Sequence, residues 1–254
     1  MISKFWVIIP ARYASTRFPG KPLANISGKP MIQHVYNNAI NSGAYKVIVA
    51  TDDNRIRKVA EDFGASVCMT SEKHKSGTDR IAEVARQYHL IGNEVIVNVQ
   101  GDEPLLPAKY IIQTANDLIE HPLADMSTLH TSIKSRDELL NPNVIKSIHN
   151  KDGFALYYSR APIPYIRDKS DLDTENNLAT LYFSHIGIYS YRASFLQTCT
   201  NLDPCSIEQA ESLEQLRVLY NGGKIFSSEV KENYGIGVDT QEDLDKVNKM
   251  INTP

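Results

Sequence analysis

Along the first half of the chain, short uninterrupted apolar runs alternate with segments whose apolar positions recur every three or four residues. The continuous runs, bounded by turn residues, predict buried strands at Phe5–Pro10, Lys46–Thr51 (KVIVAT) and Glu94–Val99 (EVIVNV), with a shorter one at Ser66–Met69. The helical period predicts helices over Met31–Ser42, closed by Gly43, over Asp53–Phe63, with Gly64 just past its end, and over Thr78–His89. A fourth helix, Pro107–Glu120, has Pro at a helix-starting position. Strands that are apolar along most of their length and alternate with helices predict an α/β fold, a doubly wound, mostly parallel Rossmann-like sheet covered on both faces.

After residue 122 the pattern changes. Asp125–Ser132, Val144–His149, Phe154–Tyr158, Leu181–Arg192 and Lys224–Val230 read as strands, and an acidic polar insertion spans Asp168–Asn177. Glu208–Tyr220 and Gln241–Ile251 read as amphipathic helices. This predicts a mixed-strand extension of the sheet. No linker rich in Pro, Gly or Ser separates the two halves, so the expectation is one continuous domain over residues 1–254, with halves 1–121 and 122–254. Three cysteines, Cys68, Cys199 and Cys205, lack CxxC spacing and read as small hydrophobes in a reducing compartment rather than as a zinc knuckle or a disulfide framework. No apolar run approaches the ~18 residues of a membrane span. Phe5–Ala11 looks like a miniature signal core, but Pro10 and the immediate Arg12 argue for a buried strand. The chain is expected in the cytoplasm.

Charge sharpens the picture. The formal net charge is −3, yet residues 1–51 hold six Lys or Arg (Lys4, Arg12, Arg17, Lys21, Lys29, Lys46) and no Asp or Glu. Four of the six fall between positions 12 and 29. Clustered cations in a Gly- and Pro-rich loop after a buried strand suit a small anionic ligand, whereas nucleic acid needs a broader basic face. Ligands of such sheets bind beyond the carboxyl ends of the strands. That brings together Ala11–Pro30, Thr51-Asp52-Asp53 and Gln100–Pro104.

The loop Pro10–Leu23 (PARYASTRFPGKPL) offers backbone N–H groups, Ser15 and the cations Arg12, Arg17 and Lys21, a set suited to a polyphosphate. It is neither a Walker A loop nor a GxGxxG fingerprint, which disfavours a dinucleotide oxidoreductase. Asp102, in the turn QGDEP, and Asp239, in GIGVDT, follow. Each alone could be a turn residue or a helix cap. With a polyphosphate they could hold a hard divalent cation, since Mg²⁺ takes one or two carboxylates plus phosphate oxygens.

The loop, with SGTDR (76–80), VNVQGDEP (97–104), ALYYSRAPIP (155–164), HIGIY (185–189), ESLEQLR (211–217) and GVDT (237–240), resembles the 3-deoxy-manno-octulosonate (Kdo) cytidylyltransferases, or CMP-Kdo synthetases, across nearly the whole chain. The loop pattern alone fits the wider sugar nucleotidyltransferases, and the motifs from Gln100 to Asp239 narrow it. The resemblance implies that CMP passes from CTP to the anomeric hydroxyl of Kdo, giving CMP-Kdo and pyrophosphate for lipopolysaccharide biosynthesis. It implies Mg²⁺ on Asp102 and Asp239, a second Mg²⁺ held mostly by the triphosphate, and a homodimer built partly through 154–191. It implies catalytic roles for Arg12, Lys21 and Asp102, with nucleotide contacts at Ala11, Arg12, Ser15, Arg17, Lys21, Ser76, Gly77, Thr78 and Arg80. Sugar contacts fall on Gln100, Arg160, His185, Tyr189, Glu214 and Gln215, where Arg160 suits a carboxylate. By residue type alone, Ser76 is also a helix N-cap, His185 a core histidine, and Glu214 and Gln215 helix surface. Alternatives left open are 8-amino-Kdo or another 2-keto sugar acid such as sialic acid, and a non-catalytic nucleotide-binding module.

Overall fold

The structure, a computed structural model, describes residues 4–14, 18–74, 76–167, 175–231 and 237–252. Chain contacts group them into two compact units. The first comprises Met1–Asn116, Ser190–Thr200 and Tyr234–Pro254, and the second Asp117–Tyr189 and Asn201–Asn233.

The first unit is built on four parallel strands in the order Val95–Asn98, Phe5–Ala11, Lys46–Thr51, Ser66–Met69. Val7, Ile8, Ile9, Ile48, Val49, Ile96 and Val97 are buried regardless of parity, as expected where helices cover both faces of a parallel sheet. The helices Met31–Asn41, Asn54–Asp62 and Gly77–Gln87 pack on these strands. Their starts follow local chemistry: the Asp53 carboxylate accepts from Arg55 N at 2.8 Å, and Ser76 and Asp79 form a reciprocal capping box.

Sequence periodicity missed a two-stranded hairpin, Asn25–Ile26 with Lys29–Pro30. Its central residues, Ser27 (φ 48°) and Gly28 (φ 86°), both take positive φ, the requirement of a tight two-residue hairpin turn. The hairpin grips the last helix, Gln241–Asn252. Ser27 N donates to Asn248 Oδ1 at 3.0 Å, and Ile26 shares a buried cluster with Met31, Val238, Leu244 and Val247. Phe18 and Ala24, from the loop after the first strand, pack against the same cluster.

In the second unit, Ile225–Glu229 pairs in parallel with Met126–Ser132, which neighbours Phe183–Arg192. Lys146–His149 runs antiparallel both to Phe183–Arg192 and to Ala155–Ser159. The mixed-strand extension is therefore present, with corrections at its edges. The expected helix Glu208–Tyr220 is two helices, Ser206–Glu211 and Gln215–Tyr220. Ser212 breaks it at φ 52°, ψ 50°, and the fold-back lets Arg217 clamp Glu208 through two hydrogen bonds of 2.8 and 2.5 Å while Leu213 and Leu216 are buried. Leu181 and Tyr182 are lost from the expected strand. Leu181 ends a helix, Glu175–Leu181, that overlaps the acidic insertion, of which 168–174 lie outside the described residues. Tyr182 N donates to Leu178 O, and both side chains join Ile133 and Leu139 in a buried cluster. Leu139 belongs to another unexpected helix, Arg136–Leu140. Helices this short are marginal alone, and tertiary packing supplies their stability.

Burial fixes the charge state of His130, His149 and His185 in this unit. His130 and His149 stack with ring centroids 4.1 Å apart, and His130 Nδ1 lies 2.8 Å from Ser227 Oγ. Desolvation lowers His130 to about 4; desolvation, then the neighbouring His130, lowers His149 to about 3. His185 is held down to about 3 in the same way. Such groups charge more readily in the unfolded chain, so their stabilisation is complete above pH 6.5 and is lost as pH falls toward the folded values. Asp117, pushed up to about 6 by burial, acts in the opposite sense but is a single group. Urea unfolding at pH 7, 6 and 5 is therefore expected to show stability falling by roughly 2 kcal/mol per pH unit near pH 5. His149→Phe, which keeps the ring stack, should make that dependence shallower.

Candidate active site

In the first unit the site is assembled at the carboxyl ends of the strands. After strand Phe5–Ala11 the chain leaves through the exposed Arg12 and the half-buried Tyr13 and returns at Gly20, whose N–H donates to Tyr13 O at 2.9 Å. Gly20 has φ 71°, and a Cβ there would stand 3.0 Å from the Tyr13 ring, so only glycine closes this turn without strain. The Arg55 guanidinium stacks on the Tyr13 ring at 3.3 Å and is itself clamped by two hydrogen bonds to Asp53, of 3.0 and 2.6 Å. A single 3-10 turn, Lys21–Leu23, follows.

Lys21 Nζ donates to Asp102 Oδ2 at 2.6 Å and to Asp239 Oδ1 at 3.0 Å. The ammonium is nearly enclosed, its side chain 12% exposed, while the two carboxylate side chains remain 33% and 45% exposed. Asp102 is placed by the turn after strand Val95–Asn98. There a Cβ on Gly101 would come 2.8 Å from Pro10 O, so glycine lets the turn lie directly against the end of the first strand. Asp239 is placed by Val238, buried in the cluster with Ile26 and donating its N–H to Asp102 O at 2.9 Å. The cap of the last helix falls to Thr240 and Asp243, whose side chains bond at 2.9 Å. Asp239 is thus turned to Lys21 rather than serving as the N-cap.

The expected nucleotide contacts divide. Ala11 is buried at the strand end, and Gly77 opens helix Gly77–Gln87 beside Pro10 and Gln100. Ser76 Oγ accepts from Asp79 N at 3.1 Å as N-cap, and Thr78 lies in the first turn. Arg80 is only 3% exposed: Nη2 donates to Asp52 Oδ2 at 2.6 Å and Nη1 to Thr70 Oγ1. Its cation is therefore neutralised from within the fold. Ser15 and Arg17 lie outside the described residues. Gln100 Nε2 donates to Asn98 Oδ1 at 3.4 Å.

The other residues lie in the second unit, where the rings of His185 and Tyr189 are in contact. Arg160 follows strand Ala155–Ser159; its Nε donates to Glu211 O at 2.7 Å and Nη1 to Pro142 O at 2.9 Å, leaving Nη2 without a partner among the described residues. Glu211 also accepts from Arg160 N at 2.9 Å and Ser159 Oγ at 2.6 Å. His185 lies between aromatic rings, centroids 5.1 Å from Tyr158 and 5.3 Å from Tyr189, with Nε2 2.9 Å from Thr128 Oγ1. Gln215 is buried at the start of a helix packed on strand Ala155–Ser159, while Glu214, which caps it, is exposed.

A family model described as Cytidylyltransferase matches residues 6–225. The chain is 51% identical over 244 residues to the 3-deoxy-manno-octulosonate cytidylyltransferase of Pseudoalteromonas atlantica, covering 96% of each. It is 50% identical to that of Haemophilus influenzae strain PittEE, covering 97% of this chain and 98% of the relative. The chain belongs to the 3-deoxy-manno-octulosonate cytidylyltransferase family. A solved CMP:2-keto-3-deoxy-manno-octonic acid synthetase complexed with CTP superposes with a TM-score of 0.89 at 41% identity, over 98% of both chains. A 4-diphosphocytidyl-2C-methyl-D-erythritol synthase from Anaerococcus prevotii, at 13% identity and a TM-score of 0.62, shares the fold.

For a 3-deoxy-manno-octulosonate cytidylyltransferase, residue types alone missed the supporting partners. Asp52 lies in a segment that the fold pattern places beside the loop, and Glu211 opens the ESLEQLR motif, but nothing local marks Arg55 or Thr128. The Arg80 pair gives a stability test. Asp52→Asn leaves a buried guanidinium without its counter-charge and is expected to destabilise the protein by about 2–3 kcal/mol in urea unfolding. An unchanged midpoint would mean that Arg80 is neutralised elsewhere.

Proposed function

We propose that the chain forms CMP-Kdo and pyrophosphate from CTP and Kdo, the activation that supplies Kdo to lipopolysaccharide biosynthesis, with Lys21, Asp102 and Asp239 at the reacting phosphate. The observation that carries this reading is the convergence of two carboxylates on one ammonium beside a loop rich in cations. The anomeric oxygen bonds to the α-phosphorus, the α–β bridge breaks, and pyrophosphate leaves, so catalysis is positioning and charge stabilisation. Lys21 is held in one place and can follow charge onto the α-phosphate; Arg12, exposed at the strand end, offsets charge on the departing pyrophosphate. Ser15 and Arg17 complete the phosphate set, and Ser76, Gly77, Thr78 and Arg80 the nucleoside side, with Arg80 acting through the packing of its neighbours.

Asp102 and Asp239 suit Mg²⁺. Both are oxygen donors, they already converge on one positive charge, and their partial exposure leaves room for phosphate oxygens and water. Bound there, Mg²⁺ supplies charge neutralisation at the α-phosphate and acidifies the attacking hydroxyl. On the sugar side, Arg160 presents its Nη2 edge to the Kdo carboxylate, with His185, Tyr189, Glu214 and Gln215 addressing hydroxyls. No helix among the described residues is long and apolar enough to cross a membrane, and the reading places the enzyme in the cytoplasm. It also makes the enzyme a homodimer. An apolar hollow lined by Leu139, Leu140, Pro162, Pro164 and Ile166, with Tyr165 80% exposed, supports an interface in the second unit.

The test is pyrophosphate release from CTP with Mg²⁺, run with Kdo, 8-amino-Kdo, sialic acid and no sugar. Release with Kdo that stops on adding EDTA is expected; silence with every sugar from a folded, CTP-binding protein would overturn the activity. Asp102→Asn should lower kcat at least 100-fold with an unchanged circular dichroism spectrum, and a loss under tenfold, below ~1.4 kcal/mol, would remove it from the reacting centre. Lys21→Ala should lower kcat by two or more decades, whereas an effect confined to the KM for CTP would make Lys21 a ground-state binding residue.

A further inference from the structure

The hydroxyl of Thr128 has more partners than protons. Thr128 is fully buried in strand Met126–Ser132, and its Oγ1 lies 2.8 Å from Ile188 O, 3.0 Å from Ile186 O and 2.9 Å from His185 Nε2. The two carbonyls can only accept, so the single hydroxyl proton goes to one of them. The Thr128 oxygen then faces His185 Nε2 with a lone pair. A second lone pair on Nε2 at that distance would be repulsive, and the contact is a bond only if Nε2 carries the ring's proton and donates.

We infer that Thr128 is a positioning residue that holds His185 in its Nε2–H tautomer, so that Nδ1 presents a lone pair to a hydroxyl of the sugar substrate. The sugar half of this inference rests on the function proposed above; the tautomer half rests on geometry alone. All hydrogen bonds of the ring among the described residues run through Nε2. The rings of Tyr158 and Tyr189 restrict its rotation, and the His185 N–H, bonded to Ile145 O at 2.7 Å, fixes the strand beneath it. Burial, reinforced by the nearby His149 and His130, keeps the imidazole uncharged at neutral pH. A neutral ring locked this way accepts but does not donate at Nδ1. It therefore suits a hydroxyl and offers nothing to a carboxylate, which is left to Arg160. Divided in this manner, the second unit would tell the acid end of the sugar from its polyol face by polarity of hydrogen bonding rather than by charge at both ends.

The inference predicts a tautomer, which nitrogen-15 NMR of histidine-labelled full-length protein reads directly without substrate. The free wild-type protein at pH 7 is expected to show His185, assigned by its loss in His185→Asn, as one neutral species protonated at Nε2. Thr128→Val, which removes the hydroxyl, should give a mixture of tautomers, and Thr128→Ser should keep the wild-type pattern. In steady state, Thr128→Val is expected to raise the KM for Kdo 5- to 50-fold with the KM for CTP changed less than twofold, and Thr128→Ser to stay within threefold of wild type for both. A wild-type ring protonated at Nδ1, or a Thr128→Val spectrum unchanged from wild type, overturns the tautomer assignment. A shifted tautomer with an unchanged KM for Kdo overturns the contact to the sugar. If Thr128→Val does not fold, the wild-type spectrum decides the tautomer, and the KM for Kdo of His185→Asn, expected to rise at least tenfold, decides the contact. Absence of turnover with Kdo in the wild-type enzyme would instead defeat the activity itself, leaving the NMR result to stand separately.

Discussion

The first unit depends on a single charge arrangement. Lys21 reaches one carboxylate 81 positions away in the chain and another 218 positions away, and the three groups sum to a formal charge of −1. Two carboxylates brought this close repel, and in the absence of a bound cation it is the lysine that makes the geometry tolerable. The surrounding fold can be understood as what is needed to present these groups together. A turn with no room for a Cβ at Gly101 sets Asp102 against the first strand, a buried Val238 sets Asp239, and an exchange of capping duty to Thr240 and Asp243 spares it. The net negative charge stays partly open to solvent at the carboxyl ends of the strands.

The parallel strands of the first unit are legible in the sequence because burial on both faces writes itself as continuous apolar runs. Lys46–Thr51 and Ser66–Met69 have the bounds that the pattern gives. The helices Met31–Asn41 and Asn54–Asp62 differ only at their caps, where Asp53 and Ser42 lie outside the helix proper. What failed to show were elements held by distant contacts. The hairpin around Ser27–Gly28 is too short to carry a period, and the helices Arg136–Leu140 and Glu175–Leu181 owe their stability to a cluster that joins them through Ile133 and Tyr182. Ser212 ends a helix whose amphipathic pattern runs on without a break, because the pattern records which residues are buried and not the direction of the chain between them.

The chemistry was readable to a similar depth. Lys21 and Asp102 stand out in the sequence as polar residues in segments that follow buried strands, and the structure brings both together with Asp239. Arg80 does not separate from them in the sequence, since an arginine locked to Asp52 and an arginine offered to a nucleotide are the same letter; only its burial distinguishes the two. Arg55 and Thr128 act on other side chains, so their partners are set by tertiary structure and no local signal marks them, whereas Glu211 shows only through the motif that it opens.

The grip of the hairpin on the last helix also sets an order in time. Lys21 and Asp102 are both synthesised before Asp239, so the second carboxylate of the charged centre comes from a later part of the chain. Val238 then enters a hydrophobic cluster already furnished by Ile26 and Met31, and Ser27 receives Asn248. The final stretch of chain thus completes at one stroke a piece of the core and the second wall of the charged centre. The same segment thus supplies Val238 to the cluster and Asp239 to Lys21, so packing of the fold and completion of the charged centre are one event.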